Sequence, residues 1–225
     1  LVGSDPICLI PEGFPAGYRF SSDGGCLTAY FRVPESESPS AQVRVQRNCL
    51  GEDNIENIGT FEFADLPARP MSYELSPEGD ALLAWGRMPE GELRLYVQEI
   101  GASTLPLLLY TYPNEDLETN FVAVRWLPDG SAVEFLLDTR PENTFFRVNR
   151  DGSDLTSGVS LPEQFQVQLG DWSPDGEEFA FSHVEENRTK SGLYIVDLQT
   201  GDWRQFLSGY HVSSARVRTW SVDAP

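Results

Sequence analysis

Basic and metal-binding residues are scarce in this chain of 225 residues, which has one lysine, two histidines and three cysteines. Asp and Glu number 35 against 16 Lys and Arg, a formal net charge of −19. Nucleic-acid affinity rests on cations that release condensed counterions, so a surface this acidic argues against DNA or RNA as a partner. Long apolar runs are missing too. The longest, Leu105 to Tyr110, contains Pro106 and falls far short of the roughly 20 residues that span a bilayer, so no transmembrane segment is expected. No segment of ten or more residues carries the i, i+3, i+4, i+7 pattern, and helix content should be low. No Cys or His pair has zinc-ligand spacing, and no Gly-x-Ser-x-Gly nucleophile elbow occurs. His183, at a strand end, and His211, in a loop between repeats, read as surface or loop residues. No catalytic residue, cofactor or metal is expected.

What is abundant is turn chemistry, with 19 Gly and 16 Pro, and much of it recurs in one phrase. Arg-Phe-Ser-Ser-Asp-Gly ends at Gly24, Glu-Leu-Ser-Pro-Glu-Gly at Gly79, Arg-Trp-Leu-Pro-Asp-Gly at Gly130 and Asp-Trp-Ser-Pro-Asp-Gly at Gly176. A degraded copy, Thr-Trp-Ser-Val-Asp-Ala, ends at Ala224; the spacings are 55, 51, 46 and 48 residues. Proline presets φ at the second turn position, and glycine accepts the left-handed conformation that closes a tight hairpin. Four residues before each turn glycine stands a large apolar residue, Phe20, Leu75, Trp126, Trp172 or Trp220, expected to anchor the core at a strand end. A second strand follows each turn, as in Leu82 to Trp85 and Phe179 to Phe181. A third follows a polar loop, as in Leu93 to Val97 and Leu193 to Val196, and a weaker fourth completes the unit. Several of these strands are apolar almost continuously and must be covered on both faces, which radially stacked sheets allow.

The expected fold class is therefore all-β, a β-propeller of four-stranded antiparallel blades at about 17–63, 71–112, 121–161 and 165–207, with the start of another at 215–225. In the fourth repeat, Trp172-Ser-Pro-Asp-Gly176, Phe179-Ala-Phe181, Leu193-Tyr-Ile-Val-Asp197 and Thr200-Gly201 together resemble the repeat of TolB-type propellers. That repeat is related in style to tryptophan-aspartate (WD) repeats and also occurs in tricorn and prolyl-oligopeptidase-type propellers. The likeness is good in the third repeat and weaker in the first two, where Phe20 and Leu75 replace tryptophan. Rings of this family usually have six or more blades, which implies that four blades and a leftover strand are part of a larger propeller. Pro6 to Ile10 could supply the outer strand of a preceding blade.

If the second and third strands of the first repeat pair about a loop in Pro34 to Ser40, opposed residue numbers sum to about 75, as those of Cys26 and Cys49 do. A disulfide between them is expected, with a bridge through Cys8 or three reduced thiols as the alternatives. Together with the acidity and the resemblance, this points to the bacterial periplasm or cell exterior. Asn187-Arg-Thr189 is an N-glycosylation sequon in a loop. Asn149 to Asp154 has calcium-loop composition without the ligand spacing and reads as a tight turn. Trp85 shares a slot with Tyr30, Phe135 and Phe181 and reads as core; Trp203 could stack on a sugar or a partner.

In a strict meander the first and third turns lie at one end of every blade, and the second turn and the inter-blade link lie at the other. The first end collects acids, including Asp23, Asp80, Asp129, Asp151, Asp175 and Asp197, with Arg150 nearly alone against them. The second mixes Glu115 and Asp116 with Arg87, Arg140, Arg188 and Lys190 and has the longest loops, so it is the candidate recognition face. The resulting expectation is a non-catalytic module that binds or organises a protein partner. Its alternatives are an accessory propeller of an S9-like peptidase and a structural subunit of a surface or membrane-associated assembly.

Overall fold

The computed structural model describes residues 16–21, 24–33, 40–51, 55–67, 71–102, 104–113, 119–139, 142–162, 165, 167–184 and 191–209. Among them there is no helix. The strands are β1 (Gly17–Phe20), β2 (Cys26–Arg32), β3 (Ser40–Cys49), β4 (Glu56–Pro67), β5 (Met71–Leu75), β6 (Ala81–Arg87), β7 (Leu93–Glu99) and β8 (Leu107–Tyr112). They continue with β9 (Asn120–Trp126), β10 (Ala132–Asp138), β11 (Asn143–Asn149), β12 (Thr156–Leu161), β13 (Val167–Trp172), β14 (Glu178–Val184), β15 (Ser191–Asp197) and β16 (Trp203–Gly209). Each consecutive four form one antiparallel sheet in chain order, so every sheet is a simple meander. The chain divides into two compact units, Leu1–Pro113 with the first and second sheets and Asn114–Pro225 with the third and fourth.

The repeated phrase makes the first hairpin of each sheet. All four turn glycines, Gly24, Gly79, Gly130 and Gly176, have φ between 68° and 80°, where an L side chain is disfavoured. Their amides donate to Ser21, Ser76, Leu127 and Ser173 carbonyls at 2.8 to 3.0 Å. The serine of the phrase has its own task. Ser21, Ser76 and Ser173 Oγ accept from the amides of Cys26, Ala81 and Glu178, each at 2.9 Å, pinning the return strand to the turn. The third repeat has Leu127 in that slot; there Asp129 accepts from the Ser131 amide at 3.0 Å, as Asp175 does from the Glu177 amide at 3.1 Å in the fourth.

In the first unit the core lies between the two sheets. Tyr30, Val43, Val45 and Phe63 meet Tyr73, Leu75, Leu82, Ala84 and Tyr96, and the Tyr30 hydroxyl donates to the Tyr73 carbonyl at 2.8 Å. In the second unit Leu136, Phe145 and Leu161 meet Phe165, Trp172, Phe179, Phe181 and Val196. Phe145 packs edge-on to Phe179 at 5.1 Å and to Trp172 at 6.3 Å, the offset geometry that aromatic quadrupoles favour.

Two expectations need correction. Phe20 is not a core anchor here: it is 54% exposed, while Leu75, Trp126 and Trp172 are buried. His183 is not a surface residue. It is buried in β14 among the rings of Phe165 and Tyr194, because its side chain shares the face of Phe179 and Phe181. His211, Trp220 and residues 6–10 lie outside the described residues.

Candidate interaction face

Cys26 and Cys49 are directly opposed in the β2–β3 ladder, and their sulfurs are bonded, so the first blade is closed covalently at its first-turn end. Arg87 ends β6 and donates from Nη1 to the Gly91 carbonyl at 2.8 Å, which bolts it to the second turn of its blade. Arg140, Arg188, Lys190, Glu115 and Asp116 fall outside the described residues. The meander places β2–β3, β6–β7, β10–β11 and β14–β15 turns at the end opposite the repeated phrase, but no cluster of the candidate side chains is assembled there among the described residues.

The acidic end is better defined. Asp151 accepts from the amide and hydroxyl of Ser153 at 2.9 and 2.6 Å, and Asp197 from the Gln199 and Thr200 amides at 2.8 and 2.9 Å. Asp175 accepts from the Ser173 hydroxyl at 2.6 Å and the Glu177 amide at 3.1 Å. Hydrogen bonds to the ionised form hold the carboxyls of Asp129, Asp151, Asp175 and Asp197 below the usual aspartate range. These aspartates build turns.

Arginines also reach this end, from strands rather than turns, and the sequence reading missed them. Arg47 on β3 donates from Nη2 to the Gly79 carbonyl of the neighbouring blade at 3.0 Å and from Nε to Thr28 Oγ1 at 3.2 Å. Arg125 on β9 pairs with Glu134 on β10 at 2.6 Å, lies 4.6 Å over the Trp172 ring and donates to the Ser173 carbonyl at 3.4 Å. Thus in each unit an arginine of one blade grips the repeated turn of the next. Arg19 adds an ion pair to Glu74 at 3.6 Å. The residue just before each anchor runs Arg19, Glu74, Arg125, Asp171, an alternation in sign that singles out Arg19 and Arg125 but neither Arg47 nor the partners of Arg125.

Trp85 is half-buried, and Trp203 is 43% exposed with its ring against Phe165 at 4.9 Å and Tyr194 at 5.9 Å. Among the described residues, no three His, Cys, Asp or Glu side chains are gathered so as to hold a metal ion. No described helix is long and apolar enough to cross a membrane.

No protein-family profile matches the chain, and no curated protein does. Solved structures match its fold. A putative TolB from Agrobacterium tumefaciens has a TM-score of 0.55 at 16% identity, covering 88% of this chain and 68% of that one. The β-propeller domain of the Trilobed protease from Pyrococcus furiosus has a TM-score of 0.54 at 11% identity, covering 86% and 57%. These sheets have the fold of β-propeller blades such as those of TolB. An oligogalacturonate lyase in complex with manganese has a TM-score of 0.60 at 14% identity, covering 84% and 51%, so this chain spans about half of that protein's length. At these identities the likeness is one of fold.

Proposed function

We propose that these TolB-like blades form a non-catalytic interaction or scaffold module that works outside the cytoplasm. One observation carries the reading: aspartates of the first and third turns, and arginines beside them, are committed to architecture. Asp129, Asp151, Asp175 and Asp197 cap their own turns, and Arg47 and Arg125 grip the neighbouring blade. The Cys26–Cys49 disulfide supports an oxidising compartment such as the periplasm or the cell exterior. The partner would be a protein that engages the second-turn end through Arg87, Arg140, Arg188, Lys190, Glu115 and Asp116, in loops on a rigid scaffold.

Cross-linking mass spectrometry on the native protein with its partners tests this. Inter-protein links should concentrate at residues 87–92, 113–120, 139–142 and 185–190. Links concentrated at Asp129, Asp151 and Asp175 instead would defeat the proposed face. The peptidase-accessory reading is favoured by the fold likeness to the Trilobed protease propeller and to an acylaminoacyl peptidase from Pyrococcus horikoshii, matched at a TM-score of 0.53 and 11% identity. Hydrolysis of peptide substrates by the native protein would favour that reading over the scaffold.

A further inference from the structure

Three described turns set a glycine directly after an aspartate: Asp129-Gly130, Asp151-Gly152 and Asp175-Gly176. The pair suits the fold, since the carboxylate caps the turn and glycine accepts the positive φ, which is 69°, 83° and 80° in order. It also puts a carboxyl carbon beside an amide nitrogen that no Cβ of its own residue shields. Attack of that nitrogen on the aspartate Cγ forms a new N to Cγ bond and closes a five-membered succinimide. The amide proton and the hydroxyl of the protonated carboxyl leave together as water. Solvent water then opens the ring: at Cγ it restores aspartate, and at the backbone carbonyl it leaves isoaspartate, with the main chain running through Cβ. One water leaves and one returns, so no oxidant or cofactor is needed. In the closed turns the reacting groups are engaged elsewhere. The glycine amides donate to the Leu127, Asn149 and Ser173 carbonyls at 2.9, 2.9 and 3.0 Å. The carboxylates accept from Ser131, from Ser153, and from Ser173 and Glu177. Isomerisation therefore waits on local opening, and the turn that opens most readily ages first.

What differs among the three is what else holds the turn. Gly130 is buried. Gly176 is covered from the neighbouring blade: Arg125 donates to the Ser173 carbonyl, the same oxygen that accepts the Gly176 amide, and its Nη2 stands 2.7 Å from where a Cβ on Gly176 would be. The Asp151 turn is closed from within. The Asn149 amide donates to the Ser153 carbonyl at 3.0 Å, and Asn149 Nδ2 donates to Ser153 Oγ and Asp154 Oδ2 at 3.0 and 2.9 Å. These bonds, and those of Asp151 to Ser153, all lie within residues 149–154. The tie to the preceding hairpin, from the Arg150 amide to the Ser131 carbonyl, ends one residue before Asp151. Asp151, Ser153 and Asp154 are exposed, and Asp154 has a φ of 53°, a conformation uncommon outside glycine. We propose that Asp151-Gly152 is a site of spontaneous aspartate isomerisation in the folded protein, while the turns at Gly130 and Gly176 are protected. Isoaspartate there adds a carbon to the main chain, breaks the Gly152 bond to Asn149 and carries the carboxylate away from Ser153, which unmakes the turn between β11 and β12. The site stands whatever the module binds.

Ageing the native protein in heavy-oxygen water at neutral pH tests this, because the succinimide can be opened only by an oxygen from the solvent. Peptide fragmentation that distinguishes a main chain through Cβ then assigns label and isoaspartate to each position. In buffer, Asp151 should take up label about tenfold or more faster than Asp129 and Asp175, the ratio that a modest difference in local opening produces. In denaturing urea the three rates should converge, since no turn is then closed. Labelling of Asp151 in buffer no faster than that of Asp175 would overturn the proposal, as would rates in urea that keep the native ranking. A faster version of the same chemistry gives a second readout, because an asparagine side chain releases ammonia in place of water. Asp151→Asn should deamidate in the native protein well ahead of Asp129→Asn and Asp175→Asn; equal deamidation of the three would count against a selective site.

Discussion

Arg125 shows how much one side chain can carry in this architecture. Its guanidinium is shared between a carboxylate on its own sheet, a tryptophan face and a carbonyl on the next blade, and the side chains of the ion pair are only 14% and 17% exposed. Truncating Glu134 would leave that cation poorly compensated, so Glu134→Ala should cost about 2–3 kcal/mol, measured by urea unfolding. Arg125→Lys should recover little, because an ammonium cannot fork to Glu134 while stacking on Trp172. Gly176 is constrained twice: its φ is 80°, and a Cβ there would come within 2.7 Å of Arg125 Nη2. Gly176→Ala should therefore destabilise by about 1–2 kcal/mol.

The titration of single residues has a definite sign. The carboxyls of Asp129, Asp151, Asp175 and Asp197 titrate below their unfolded values, so their contribution is present above the unfolded aspartate pKa and is lost as pH falls through the lowered one. Asp171 runs the other way, since burial raises its pKa, but it is one group against four. The melting temperature should hold between neutral and mildly acid pH and fall once pH drops below about 4. Burial pushes the Tyr73 and Tyr110 hydroxyls up to about 12. An ultraviolet titration should show these two ionising only at strongly alkaline pH.

At the scale of elements, the β2–β3 hairpin is closed covalently. The disulfide spans a sequence separation of 23, and on the chain-entropy account a loop of this size contributes about 3 kcal/mol. Cys26→Ser with Cys49→Ser should lower the unfolding free energy by about that amount, and hydrogen exchange should show the loosening centred on β2 and β3. Peptide mapping without reductant should recover residues around Cys26 and Cys49 as one linked species. The hairpin register that opposes the two cysteines was legible beforehand, because a meander with a central loop fixes which residue numbers face each other. The partners of Arg47 were not, since Gly79 lies 32 residues away on another sheet.

Across the whole molecule, charge has the longest reach. A net charge of −19 makes the folded state self-repelling, and salt screens such repulsion with a Debye length of about 10 Å at 0.1 M. The urea midpoint should therefore rise when salt is raised from low to physiological concentration, whereas a chain stabilised chiefly by exposed ion pairs would show the reverse. The same charge makes partner binding sensitive to reversal of the few cations at the candidate face. Arg140→Glu with Arg188→Glu should abolish or strongly weaken partner capture in a salt-dependent binding assay; unchanged binding would count against that face.

The sequence by itself determined the repeat, the strand order, the meander and the left-handed turn glycines, because these depend on neighbours within a few residues or on a register set by one loop. It also sorted the turns to the two ends of each blade. What only the tertiary structure decided were contacts made across blades: Arg47 and Arg125 on the next turn, His183 among aromatic rings, and Phe20 left open where Leu75 and Trp172 are covered. The physical reason is that burial is a property of the sheet opposite. An identical slot in the repeat is core or surface according to what stands in front of it, and no local pattern records that.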